Sequence, residues 1–83
     1  MRDHVIGIDI GTTGTKAGIY DREGRLVGDA FEESILRYPG PGQVEQDPDE
    51  IFGSAVRTIR SALASSGLDA SRIAAMAAFS VSE

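Results

Sequence analysis

With 83 residues, no cysteine and a net charge of −5, the chain has room for one small domain, without disulfide or Cys/His metal staples. The acidic balance disfavours nonspecific contact with nucleic acid or an anionic membrane, and no apolar run approaches the roughly 20 residues of a membrane span. The expectation is a cytoplasmic protein without a leader peptide, in which a local anion site is still possible because such a site depends on oriented backbone amides, not on net charge.

His4-Val5-Ile6-Gly7-Ile8-Asp9-Ile10 is short, apolar and β-branched, the composition of a buried strand. Gly11-Thr12-Thr13-Gly14-Thr15 interrupts it with small turn residues, and Lys16-Ala17-Gly18-Ile19-Tyr20 resumes as a second strand. Asp21-Arg22-Glu23-Gly24 is a polar turn, followed by a third strand from Arg25 to Phe31. Two short connections imply two hairpins and an antiparallel meander. Tyr38-Pro39-Gly40-Pro41-Gly42 predicts an irregular crossing. Asp47 as N-cap, Pro48 in the first turn and Glu50 then announce a helix. Its expected apolar face is Ile51, Phe52, Ala55, Val56, Ile59, Ala62 and Leu63, and Gly67 is its expected stop.

The alanine-rich segment Arg72–Phe79 is compatible with helix on propensity alone. After a helix that must cover one sheet face, a strand parallel to the first is the better solution. The predicted fold class is therefore α/β with a mixed sheet, in the order β-β-β-α-β. That order looks unfinished, because a buried first strand wants cover on both faces.

The chemistry concentrates in Asp9-Ile10-Gly11-Thr12-Thr13-Gly14-Thr15-Lys16. Glycines allow close backbone approach, turn amides can converge on an anion, three threonines add hydroxyls and Lys16 adds a positive charge. A carboxylate beside a phosphate repels it unless a divalent cation stands between them. Mg²⁺ commonly takes one or two carboxylates together with phosphate oxygens and water, so Asp9 favours Mg²⁺-nucleotide over free phosphate. The P-loop spacing Gly-x-x-x-x-Gly-Lys-Ser/Thr is absent, and the turn joins two strands. An ordinary Gly/Thr-rich hairpin remains the alternative on spacing alone.

Asp-x-Gly-Thr-Thr-x-x-Lys after an apolar first strand resembles the first phosphate motif of the actin, heat-shock chaperone and sugar-kinase ATPase superfamily. Lys16, together with Tyr38-Pro39-Gly40-Pro41-Gly42-Gln43-Val44-Glu45-Gln46-Asp47-Pro48, resembles FGGY carbohydrate kinases of the xylulokinase, gluconokinase and glycerol kinase kind. The resemblance covers nearly the whole chain. It implies the opening segment, residues 1–83, of an N-terminal ribonuclease-H-like (actin-like ATPase) domain, with no second domain in this chain. It implies ATP- and Mg²⁺-dependent phosphorylation of a sugar, sugar acid or polyol hydroxyl. Gly11, Thr12, Thr13 and Lys16 would bind nucleotide phosphate, and Asp9 would hold Mg²⁺ through water. No catalytic residue is expected within the chain, since the family's general base lies downstream; the remainder of the kinase or a second chain must complete the cleft. The Glu45–Pro48 stretch reads as structural.

One departure is local. Where many members carry a Ser-Gly-Gln-Met-His-like loop, this chain reads Phe79-Ser80-Val81-Ser82-Glu83, leaving Ser82 and Glu83 as altered substrate contacts or as solvated loop residues. Two other readings stay open: another ATPase of the same superfamily, and a non-catalytic fragment or small interaction domain.

Overall fold

The computed structural model describes residues 2–11, 13–33 and 48–80. The expected order is observed, as β1 (His4–Ile10), β2 (Gly14–Tyr20), β3 (Leu26–Glu33), α1 (Pro48–Ser66), a 3₁₀ turn (Ala70–Arg72) and β4 (Ile73–Ser80). The sheet runs β3-β2-β1-β4, with both hairpin pairings antiparallel and β1–β4 parallel. The alanine-rich segment is thus a strand. Local propensity does not decide this; position does, because a single covering helix returns the chain beside β1 as a parallel partner.

That return is fastened at its start. The Asp3 amide donates to the Arg72 carbonyl at 3.1 Å, and the Arg72 guanidinium grips both Asp3 carboxylate oxygens at 2.9 Å each. Asp3 also lies 2.8 Å from Nδ1 of His4, and His4, the opening residue of β1, is buried. At the other turn, the Asp21 carboxylate accepts from the Glu23 and Arg25 amides, the Asx-turn expected of an aspartate heading a polar hairpin loop.

The core lies between α1 and one sheet face, where Ile6, Ile8, Ala17, Ile19 and Ala62 are buried and Ile59, Leu63 and Ile73 pack at its margin. The helix buries only part of the face that its apolar pattern predicts: Ala62 is buried and Ile59 and Leu63 pack against the core, but Phe52 turns away from it. Phe52 is 72% exposed, and the buried positions are Ser54, Thr58 and Ala62, four residues apart. Small side chains win because the sheet beneath is itself low. A Cβ at Gly28 on β3 would stand 2.6 Å from Ser66 Cβ and 2.8 Å from the Ala62 carbonyl oxygen. Helix and strand therefore meet backbone to backbone, and a larger residue at the contact would push them apart. Thr58 satisfies its hydroxyl by donating to the Ser54 carbonyl at 2.6 Å. Gly67 ends the helix as expected: at φ 74° it takes the left-handed conformation and donates to the Leu63 and Ala64 carbonyls. The proposed cap Asp47 and the irregular crossing at 38–42 lie outside the described residues.

A second tie joins α1 to β3. Arg57 donates from Nε to Glu32 Oε2 at 2.9 Å and from Nη2 to Oε1 at 2.6 Å, a bidentate pair across the layer. The guanidinium holds the Glu32 carboxyl down at about 2. Arg72 holds Asp3 well below the carboxylate range in the same way. Both folded-state values lie below those of the unfolded chain, so the stability they contribute is present at neutral pH and is lost as pH falls through the folded values. Thermal unfolding followed from pH 7 downward should therefore steepen its decline between about pH 4.5 and pH 2. Glu32→Gln should flatten part of that decline; an unchanged profile would remove the Arg57 pair from the account.

The opposite sheet face is bare among the described residues. Val5 and Met76 are 43% and 54% exposed, and Ala74 to Ala78 are all exposed. β1 is thus covered on one face, whereas its apolar run calls for cover on two.

Candidate functional site

The motif residues Asp9 and Lys16 stand on the bare face. Alternation along β1 sends Ile6 and Ile8 under the helix and puts Gly7 and Asp9 on the open side. β2 alternates likewise, with Ala17 and Ile19 buried beneath α1 and Lys16, Gly18 and Tyr20 outward. The antiparallel register pairs Asp9 with Lys16 and Gly7 with Gly18. A carboxylate and an ammonium separated by six residues in sequence thereby become neighbours on one face. Together with the two glycines and Tyr20 they line a cavity of about 290 Å³.

The turn above them is tighter than its sequence suggests. β2 begins at Gly14, and the Gly11 amide donates to the Gly14 carbonyl at 2.9 Å, which closes the turn between the two strands. Neither Gly11 nor Gly14 has a positive φ. Their lack of a side chain is therefore a matter of space. A Cβ at Gly11 would meet only the Gly14 carbonyl, at 3.9 Å, so the hairpin itself does not demand a glycine there. Gly14 differs: a Cβ would stand 2.5 Å from both the Glu32 carbonyl and the Phe31 ring.

The predicted site residues separate on this geometry. Asp9, Gly11 and Lys16 come together at one end of the β1–β2 hairpin, and Thr13 is exposed at its tip. Thr12, Ser82 and Glu83 lie outside the described residues. Thr15 leaves the set: it is 3% exposed on the helix side, one residue out of phase with Lys16, so its hydroxyl does not face the cavity. Sequence reasoning missed Gly7 and Gly18, which floor the cavity. Their signal was a glycine at equal distance from the turn in each strand, visible only once the register is known.

Asp3, Asp21 and Glu32 are each matched to an arginine. Asp9 and Lys16 make no side-chain hydrogen bond or ion pair among the described residues, not even with each other. Nor do three or more His, Cys, Asp or Glu residues converge anywhere among the described residues. A cation held here would have one protein carboxylate, Asp9, and would need its other ligands from water and from whatever it accompanies.

Comparison with known proteins settles which family uses this hairpin. The model of the FGGY family of carbohydrate kinases, N-terminal domain, matches residues 4–82. The chain belongs to the FGGY family of carbohydrate kinases. A glycerol kinase of Haloferax volcanii is 42% identical over 73 residues, which is 88% of this chain and 14% of that protein. Among solved structures, a xyloylose kinase from Brucella ovis superposes with a TM-score of 0.85 at 30% identity, over 93% of this chain and 16% of its own. A gluconate kinase from Lactobacillus acidophilus gives 0.81 at 34% identity, over 93% and 15%. The fold is that of the FGGY kinases, the actin-like ATPase type, and the chain spans about 15% of the length of such relatives.

Proposed function

We propose that these residues open the N-terminal domain of a kinase that transfers the γ-phosphoryl group of ATP to a hydroxyl of a sugar, sugar acid or polyol, and that they supply its first phosphate-binding loop. The observation carrying this reading is the Asp9–Lys16 pair, unpartnered among the described residues and facing the open cavity beside the Gly11–Gly14 turn of an FGGY chain. Asp3, Asp21 and Glu32 answer arginines of the fold, whereas Asp9 and Lys16 face the cavity, which supports reading them as ligand-facing.

The roles divide by charge. Lys16 attracts phosphate oxygens as a point charge, and Gly11, lacking a Cβ, leaves the turn open to close approach. Thr12 and Thr13 would add hydroxyls and amides as phosphate donors. Asp9 suits a Mg²⁺ ion that arrives with the nucleotide, held through water; such an ion would neutralise phosphate charge. What the chain then contributes is orientation and electrostatic stabilisation of the group in transfer. The proton acceptor for the substrate hydroxyl and the adenine site are assigned to residues beyond this chain, so the 83 residues alone should be inactive.

The test is to incubate the full-length protein with ATP and Mg²⁺ and a panel holding glycerol, xylulose and gluconate, with and without excess chelator. ADP formation that needs both one panel member and free Mg²⁺ is the expected result. Hydrolysis that ignores every acceptor would favour another ATPase of the superfamily.

A further inference from the structure

Among the described residues Phe31 is the most exposed large apolar side chain of the sheet, at 58%, and yet its position is closely defined. Its ring fills the notch left by Gly14, where a Cβ would stand 2.5 Å from Cζ and 2.7 Å from Cε1. Gly14 is also the residue whose carbonyl accepts the Gly11 amide and closes the phosphate hairpin. On β3, Phe31 is the register partner of Lys16, so its side chain leaves the same face as the lysine, directly beside it. An aromatic ring laid over a cross-strand glycine replaces the side-chain contact that the glycine lacks and pins the local register. At the far end of the cavity Tyr20 lies over Gly18 of its own strand, its hydroxyl 3.1 Å from where a Cβ would stand, and reaches Gly7 of β1 at 3.9 Å.

We propose that Phe31 is a positioning residue, whose ring on Gly14 holds the Gly11–Gly14 turn and Lys16 in the orientation that receives a nucleotide phosphate. The inference rests on the functional reading above and adds a residue from β3, outside the phosphate motif, to the machinery that presents the loop. An exposed ring contributes little to the core, so its removal should act on the loop it props rather than on the fold.

Phe31→Ala, Phe31→Leu and Phe31→Tyr in the full-length kinase test this by steady-state kinetics and thermal unfolding. Phe31→Ala should raise KM for ATP about tenfold, with KM for the carbohydrate changed less than about twofold and Tm nearly unchanged. Phe31→Tyr, which keeps the ring, should restore KM for ATP, and Phe31→Leu should not. An unchanged KM for ATP in Phe31→Ala, or a loss of kcat alone that tracks a lowered Tm, would overturn the proposal. Asp9→Asn measured alongside separates the two levels. If it abolishes turnover while Phe31→Ala leaves nucleotide KM unmoved, the positioning role fails alone; if Asp9→Asn is fully active, the functional reading itself fails.

Discussion

Asp9→Asn in the full-length kinase is expected to lower kcat by at least about a hundredfold, the scale of losing one preorganised electrostatic contact to a reacting centre. Asparagine preserves the shape of the side chain and removes its charge. Asp9 is half-buried on the open face, is opposite Lys16, and has no side-chain partner among the described residues. The fold therefore should not depend on its carboxylate, and Tm should stay close to that of the parent. A loss of turnover at constant Tm, with a raised Mg²⁺ requirement, is the signature of a carboxylate that serves the metal-nucleotide. Parent-like turnover at saturating ATP would remove Asp9 from the phosphate site and leave Lys16 and the turn amides to act without it.

The second large effect concerns stability. Gly28→Val should destabilise the protein by about 3 kcal/mol, at the upper end for overpacking a close contact. The new side chain would meet Ser66 Cβ and the Ala62 carbonyl inside 3 Å, and neither can swing away, because one belongs to the helix surface and the other is its backbone. α1 must then lift off β3, loosening Ala62 from its place in the core beside Ile19 and Ala17. Urea unfolding is the measurement, and a midpoint matching the parent would mean that helix and sheet are not locked at this distance. The same argument explains why Ser54 and Thr58, not the bulkier Phe52, occupy the buried stripe: a helix seated on glycine and alanine has room only for small side chains.

Much of this was legible along the chain. The β-branched run at His4–Ile10, the small residues after it and the resumption to Tyr20 are local signals, and the hairpin follows from how few residues separate the strands. Pro48 at the head of α1 and Gly67 past its end mark the helix by backbone chemistry that needs no tertiary partner. The motif from Asp9 to Lys16 and the stretch from Tyr38 to Pro48 pointed to the FGGY kinases, and the comparisons bear that out.

Other features could not be read in one dimension. Composition left Arg72–Phe79 open between helix and strand, and its place beside β1 decided it. The Arg57–Glu32 and Arg72–Asp3 pairs join residues 25 and 69 positions apart, brought together only by the crossover of α1 and the return of β4. Thr15 and Lys16 are adjacent in the motif, but the pleat sends one under the helix and the other to the cavity. Sequence by itself determined the order of elements, the turn chemistry and the family, because each is written in neighbouring residues. Tertiary structure decided which face each residue serves, because register and helix approach are set by contacts between distant residues: Gly28 against the Ala62 backbone, and Gly14 against the Phe31 ring.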